Sequence, residues 1–198
     1  MKRPLAMIWA EGFLDRVAAE RLAKELGLRI EGAVKDAGGI DRFWELLDKY
    51  NKAAEQCGLV FALADHDGVD CAGPKLAAKL RSRHRDLILR LSVAELESWL
   101  MADHESLGEY LRVSPSKFPE EPDKVKDPKR TLVDLAAKSS KPAIRAGMAP
   151  KAGHSTNRGP EYTLIMEQFV RQYWMPFRAA ERSPSLKRAI VALRAASA

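Results

Sequence analysis

Blocks of apolar residues alternate with amphipathic blocks along the first hundred residues of the chain. Continuous apolar runs predict buried strands at residues 5–10, 59–64 and 86–93, and an alternating run predicts a strand at residues 28–34. Helical spacing of apolar residues predicts helices at residues 13–26, 41–56, 74–84 and from residue 95 to 102. Strands and helices that alternate in this way indicate an α/β doubly wound fold with a mostly parallel sheet of about four strands flanked by helices.

The pattern changes after about residue 103, because no further strand is predicted there. Residues 113–128 hold four prolines and predict a linker or an ordered surface loop. Helices are predicted at residues 131–138, 161–175 and 186–195, the last with Ser183 as its N-cap and Pro184 at its first position. We therefore predict an α/β core over residues 1–103 and an α-helical, basic C-terminal extension packed on it over residues 104–198.

Charge is distributed unevenly between these two parts. Residues 1–103 carry 16 basic and 17 acidic side chains, whereas residues 104–198 carry 17 basic and 10 acidic ones. The most basic window, residues 128–160, has seven basic residues and one acidic residue. The acids suited to chemistry thus lie in the first half, and the charge suited to a polyanion lies in the second.

Two other features of the composition concern where the protein works. Cys57 and Cys71 are the only cysteines and have no metal-type spacing, so we expect a reducing, cytoplasmic environment. No apolar run approaches the roughly 20 residues of a membrane span, so we expect no membrane partner.

Acidic residues follow two of the predicted strands. Glu11 comes directly after the first, and Asp65 and Asp67 end the third, followed by Gly68. In an open parallel sheet, ligands bind at the carboxyl ends of the strands, where these three carboxylates would converge. Such a set suits a hard divalent cation such as Mg²⁺ or Mn²⁺. A single Asp at such a place is also explained by a helix cap or an Asx turn.

Further acids lie near the same predicted edge. Glu95, Glu97 and Asp103 follow the fourth strand, and Asp15 lies one helical turn after Glu11. Each is explained equally well as a metal ligand, a general base or an ordinary helix-surface acid. Among them Glu97 is the next candidate ligand. His66 would point away from both aspartates if the strand continues through it.

Several known motifs share part of the segment Asp65-His66-Asp67-Gly68-Val69. It fits the nucleophile motif of haloacid-dehalogenase-type phosphatases, in which the first Asp is the nucleophile and the second the general acid. That family opens with this strand and has a later acidic pair, which this sequence lacks. An EF-hand is excluded because glycine falls at the fourth loop position. His-Asp phosphohydrolases are a poor match because they carry that pair on a helix.

The chain resembles Toprim domains, which occur in topoisomerases, primases and overcoming-lysogenization-defect nucleases. The resemblance lies in Glu11-Gly12 with Asp15 after the first strand and Asp65-x-Asp67 after the third, and it covers about residues 4–103. The segments AEGFLDR, LADHDG, VAELESWLMAD and YWMPFRAAERSPSL also resemble a family of short stand-alone Toprim-related proteins of unassigned function.

The resemblance implies that Glu11, Asp65 and Asp67 are catalytic and hold Mg²⁺ or Mn²⁺, with Glu97 as a supporting ligand. It implies a metal-dependent nuclease or a related phosphoryl-transfer enzyme acting on nucleic acid in phage defence, with an ATPase as a further partner. The alternatives are a non-catalytic module that binds nucleic acid or a partner, and a haloacid-dehalogenase-like phosphatase. The candidate phosphate contacts are basic residues of the second half: Lys129, Arg130, Lys138, Lys141, Arg145, Lys151 and Arg158.

Overall fold

A computed structural model describes residues 4–66, 82–150 and 157–198. Four parallel strands form one sheet in the order β2-β1-β3-β4. The strands are β1 (Met7–Ala10), β2 (Val34–Asp36), β3 (Val60–His66) and β4 (Leu87–Val93). The predicted α/β fold with a parallel sheet is thus confirmed.

Helices cover both faces of the sheet and make up the second half of the described chain. In the first half they are α1 (Phe13–Glu25), α2 (Ile40–Glu45), α3 (Leu47–Cys57) and α4 (Leu96–Ala102). The second half contains α5 (His104–Leu111), α6 (Pro128–Ala136), α7 (Pro142–Met148), α8 (Tyr162–Gln172), α9 (Pro176–Ala179) and α10 (Pro184–Ser197). This series confirms the predicted helical C-terminal extension.

The sheet separates two apolar clusters, because alternate residues of a strand point to opposite faces. On one face Val60, Ala62 and Leu89 pack with Phe43 and Tyr50 of α2 and α3. On the other face the strands pack with α1, α4 and the helices of the second half, and this larger cluster runs from Leu5 to Leu193. The extension therefore contributes to the same hydrophobic core as the sheet.

The second strand differs from its prediction. Residues 28–34 were expected to form it, but the strand is Val34–Asp36, and Ile30 makes only an isolated bridge to Leu5. Gly32 explains the difference, since a Cβ at this position would lie 2.1 Å from the Ala6 carbonyl oxygen. The chain comes so close to its neighbour there that the regular ladder is interrupted.

Three other predicted segments can be compared with the structure. Residues 41–56 were predicted as one helix, but the chain forms α2 and α3, which meet at Leu46 (φ −87°, ψ 1°). The proline-rich segment 113–128 is an ordered surface segment with two short 3₁₀ turns, and it buries Phe118 and Pro122. Most of the helix predicted at residues 74–84 lies outside the described residues. Ser183 caps α10 as predicted, because its side chain accepts the Leu186 N–H.

The helices were also compared with the length and hydropathy that a lipid bilayer demands. In the described portions of the chain, none is long and apolar enough to cross a membrane.

Candidate functional site

The carboxyl ends of β1 and β3 lie side by side at the centre of the sheet. The chain leaves β1 towards β2 on one side and reaches β3 on the other, so this is the point where the direction of winding reverses. Ligands of open α/β sheets bind in the crevice at such a point. Glu11 follows β1 directly, and its Oε2 accepts the Asp65 backbone N–H at 3.0 Å. The predicted meeting of Glu11 and Asp65 is therefore present.

Asp65 is held by two donors from the neighbouring part of the sheet. Its Oδ1 accepts the Ser92 hydroxyl at 2.6 Å and the Leu96 N–H at 2.8 Å. Ser92 is the partner of Asp65 in the β3–β4 register, and Leu96 is the first residue of α4. One carboxylate oxygen is thus fixed by the fold, and Oδ2 is the oxygen left to meet a ligand.

Asp15 brings a further carboxyl to the same place from the first turn of α1. Its Oδ2 accepts the Gly12 N–H at 3.2 Å, which is how an acid at this position caps a helix. Its Oδ1 is buried and accepts no hydrogen bond from the part of the chain that is described. A buried oxygen without a donor is costly, so Asp15 is more than a helix cap.

Glu97 lies in the first turn of α4 and is only 2 % exposed. The Tyr162 hydroxyl donates to its Oε1 at 2.6 Å, and the Lys129 ammonium lies 3.7 Å from the same oxygen. Lys129 also donates to Glu95 from its ammonium and its backbone N–H, each at 2.7 Å. Two residues of the C-terminal extension thereby complete the surroundings of an acid from the core.

Burial and mutual repulsion both act on the carboxyls of this site, and burial is the larger cause of their raised pKa values. Burial raises the pKa of Asp65 to about 7; the charges of Glu97 and Glu11 add to the rise, while the Ser92 hydrogen bond and Lys129 oppose it. Burial, followed by the charges of Asp65, Glu11 and Glu97, raises the pKa of Asp15 well above its usual range. Burial also raises the pKa of Glu97 despite Lys129 and Tyr162. These carboxyls therefore share one electrostatic environment. We call Glu11, Asp15, Asp65 and Glu97 the acidic cluster.

The other sequence-predicted site residues are placed as follows. Asp67 and Lys151 lie outside the described residues. Lys129 lies beside the acidic cluster, where its ammonium donates to Glu95. His66 is buried on the face of β3 opposite Asp65, as expected from strand alternation. Asp103 is fully buried and holds α9, where it accepts the Met175 N–H and an Arg178 N–H at 2.8 and 2.7 Å. It is therefore a structural acid.

The remaining candidate phosphate contacts are spread over the surface of the extension. Arg130 pairs with Asp134, Arg145 donates to the Ser139 carbonyl at 2.6 Å, and Arg158 stacks over the Tyr162 ring at 5.7 Å. Lys138 and Lys141 are exposed. Three of these side chains thus have partners of their own, and Arg158 lies beside the ring whose hydroxyl donates to Glu97.

Sequence reasoning missed Ser92 and Tyr162 as parts of the site. Ser92 is an ordinary residue of an apolar strand, and only the β3–β4 register reveals its contact with Asp65. Tyr162 follows Glu97 by 65 residues along the chain, and its role depends on the packing of α8. In the sequence, the only indication of a role was that each residue lies near the end of a predicted element, and that position is too common to identify a site.

A divalent cation can be tested against these residues by their donor chemistry. Within the described ranges, no three His, Cys, Asp or Glu side chains are arranged ready to hold a metal ion. The available atoms are nevertheless carboxylate oxygens, the ligands preferred by Mg²⁺ and Mn²⁺. Asp15 Oδ1 has no donor among the described residues, and a bound cation would offset the burial that raises the pKa of Asp15 and Asp65. On these grounds the residues fit such a cation.

Comparisons of the chain with models of protein families, with curated proteins and with solved structures found no match in any of the three.

Proposed function

We propose that this protein is a metal-dependent nuclease, or a related phosphoryl-transfer enzyme that acts on nucleic acid, with Mg²⁺ or Mn²⁺ as its cofactor. The observation that carries the proposal is the acidic cluster: four carboxyls on one sheet edge, two of them with strongly raised pKa values and one with an unsatisfied buried oxygen. The Toprim resemblance, which includes Asp67, adds support for the same chemistry.

The chain's own residues divide the work as follows. Asp65, with Oδ1 fixed by Ser92 and Leu96, presents Oδ2 as a ligand, and Asp15 and Glu97 are further candidate ligands. A bound divalent cation would polarise the scissile phosphate and stabilise its developing charge. Glu11 is half-buried and lies directly beside Asp65, so we assign it to take a proton from an attacking water.

Lys129 and Tyr162 act as positioning residues in this scheme. The Lys129 ammonium offsets part of the negative charge of Glu95 and Glu97, and the Tyr162 hydroxyl fixes Glu97 Oε1. Both keep Glu97 in place within a site that would otherwise repel it. The extension is therefore part of the proposed catalytic centre as well as of the core. The proposed setting is the cytoplasm, in phage defence, with an ATPase as a candidate partner.

The test is a cleavage assay with the full chain. Labelled single-stranded DNA, double-stranded DNA and RNA would be incubated with Mg²⁺, with Mn²⁺ and with EDTA. Glu11→Gln and Asp65→Asn would be run beside the intact protein, with Glu31→Gln as the matched control because Glu31 is an exposed acid paired with Arg29. We expect cleavage that requires the metal, persists in Glu31→Gln and is lost at least a hundredfold in the two cluster variants.

Two results would contradict the proposal. If no substrate is cut under any condition, the isolated chain is not a nuclease. If the cluster variants cut as well as Glu31→Gln, the activity comes from elsewhere. Binding of nucleic acid without cleavage would identify the protein as a non-catalytic module.

A further inference from the structure

Arg90 occupies an unusual position for an arginine. It lies in β4, the strand at one edge of the sheet, between the buried residues Leu89 and Leu91. One guanidinium N–H donates to the Leu89 carbonyl at 2.8 Å, while its Nε is buried and has no hydrogen-bond partner among the described residues. No carboxylate of the described residues pairs with it. A half-buried cation without a neighbouring anion is energetically costly, so binding of an anion beside Arg90 would be favourable.

Two other arginines surround this guanidinium. Arg83 lies in the loop that leads into β4, and Arg188 lies on α10, which packs against β4. Burial lowers the pKa of Arg90, and the positive charges of Arg83 and Arg188 lower it further. Both neighbours are exposed, and neither has an ion pair with a carboxylate within the described residues. We call Arg83, Arg90 and Arg188 the edge arginines.

Several other arginines of the described chain are arranged differently. Seven of them pair with carboxylates: Arg16, Arg21, Arg29, Arg42, Arg130, Arg171 and Arg178. The helix beside Arg90 has no acid at all, and its exposed face carries Lys187, Arg188 and Arg194. An edge surface of one sign attracts a ligand of the opposite sign.

The edge arginines also lie close to the acidic cluster. Arg90 and Ser92 are two residues apart in β4 and share a face of the sheet, which places their Cα atoms about 7 Å apart. Ser92 donates to Asp65 at 2.6 Å. Ser92 itself is fully buried, so an anion reaches this region from the exposed side chains of Arg83 and Arg188. A chain of phosphates suits such a surface, because guanidinium groups bind phosphates in pairs of hydrogen bonds.

We propose that the edge arginines bind the sugar–phosphate backbone of a nucleic acid. The identity of the ligand as the substrate rests on the proposed function. Three arginines from a loop, a strand and a helix, two of them exposed, present a surface rather than an enclosed pocket. They therefore suit several phosphates of a polymer better than one free nucleotide. Phosphate contacts of this kind position the chain and carry no sequence information.

The test measures binding apart from cleavage. The affinity of the full chain for a fluorescently labelled oligonucleotide would be followed by anisotropy in EDTA over a range of KCl concentrations. The variants are Arg83→Gln, Arg188→Gln and the triple variant that adds Arg90→Gln. The matched control removes the same charge from paired arginines: Arg29→Gln, Arg42→Gln and Arg130→Gln together. Thermal melts by circular dichroism establish that each variant is folded.

We expect the triple variant to bind at least tenfold more weakly at low salt. We also expect its plot of log K against log salt to be shallower by about 2 to 3, one contact for each arginine. The control triple variant should show less than half of this loss of affinity and less than half of this change in slope. If the Arg90 substitution prevents folding, Arg83→Gln and Arg188→Gln alone decide the matter, since both side chains are exposed.

The inference is overturned if the control loses as much affinity as the edge variants, or if polyglutamate competes as well as the oligonucleotide at equal charge. The same experiments distinguish a failure of the inference from a failure of the proposed function. Lost binding in the edge variants of a protein that cuts nothing supports the inference and contradicts the nuclease. Metal-dependent cleavage that the triple variant retains with unchanged KM overturns the inference and leaves the nuclease standing.

Discussion

At the scale of single residues, Asp65 shows how a fold can raise the pKa of a carboxyl towards neutral pH. Its Oδ1 accepts two short hydrogen bonds, which favour the charged form. Burial and the neighbouring acids outweigh them, and they raise the pKa of Asp65 to about 7. Near neutral pH, binding of a cation at this site would therefore release a proton from Asp65.

This pKa predicts how stability depends on pH in the absence of divalent cations. Asp titrates at about 3.9 in an unfolded chain, so between about pH 4 and pH 7 the folded protein binds more protons at Asp65 than the unfolded chain does. The contribution of Asp65 to the free energy of unfolding is therefore fully present below pH 4 and is lost as the pH rises to 7. The slope is at most about 1.4 kcal/mol per pH unit for one group.

Urea unfolding at several pH values in EDTA would measure this dependence. Asp65→Asn should lose less stability than the intact protein over the same range, and Glu31→Gln should follow the intact protein. Added Mg²⁺ should reduce the loss in the intact protein, since a bound cation favours the ionised cluster. Parallel pH profiles of Asp65→Asn and the intact protein would contradict the assignment.

Tyr162 tests whether the extension supports the acidic cluster. Its hydroxyl is buried and donates to Glu97 at 2.6 Å. Tyr162→Phe removes this donor and leaves a buried carboxyl oxygen less satisfied, so we expect a loss of about 1–3 kcal/mol in the free energy of unfolding. Chemical denaturation measures it. Tyr173→Phe is the control, because Tyr173 is 45 % exposed and should change little.

At the scale of elements, sequence patterns predicted what is local. Strands β1, β3 and β4 are runs of apolar residues buried on both faces, and such runs are distinctive even without an alignment. Strand β2 was misplaced because its position depends on the contact of Gly32 with the Ala6 carbonyl, a tertiary effect. The break between α2 and α3 could not be predicted, because no proline or glycine lies at Leu46.

The same distinction applies to the candidate site. Glu11, Asp65 and Glu97 could be predicted, because the carboxyl end of a strand is visible in the sequence and parallel strands share an edge. Ser92 could not be predicted as a partner of Asp65, because that requires the register between two strands. Lys129 was predicted as a phosphate contact from the charge of its segment, yet the packing of α6 places it beside Glu95. Unpaired arginines such as Arg90 become visible only when ion pairs are known.

Asp103 joins three elements and predicts a measurable loss of stability. It lies between α4 and α5 and accepts N–H groups of Met175 and Arg178 from the start of α9. Asp103→Ala would leave these donors without an acceptor, and the Arg178 guanidinium would lose its buried partner. We expect a loss of about 3 kcal/mol or more in the free energy of unfolding.

A matched control is available on the same arginine. Glu105 also pairs with Arg178, at 2.7 Å, but its side chain is 59 % exposed. Glu105→Ala should cost less than about 1 kcal/mol, as surface ion pairs usually do. Equal losses in urea unfolding of the two variants would show that burial of Asp103 is not what matters.

At the scale of the whole molecule, the core and the extension depend on each other. The larger apolar cluster includes Ile8 and Phe61 from the sheet and Trp99 from α4, and it also includes Phe169 and Trp174 from the extension. The Trp99 indole N–H donates to the Ser185 hydroxyl at 2.7 Å across this interface. The acidic cluster shows the same dependence, since Lys129 and Tyr162 of the extension reach Glu97 of the core.

This shared core predicts that residues 1–103 do not fold cooperatively when expressed alone. Without the extension, the surfaces of α1, α4 and β4 that pack against it would be exposed, including Trp99, which is buried in the intact chain. At roughly 25 cal/mol per Å² of apolar surface, such exposure removes more free energy than a small domain can spare. Thermal melts by circular dichroism and binding of a hydrophobic dye compare the fragment with the full chain. A sharp melt without dye binding would show that the core is an independent domain and that the extension was added to a site already complete.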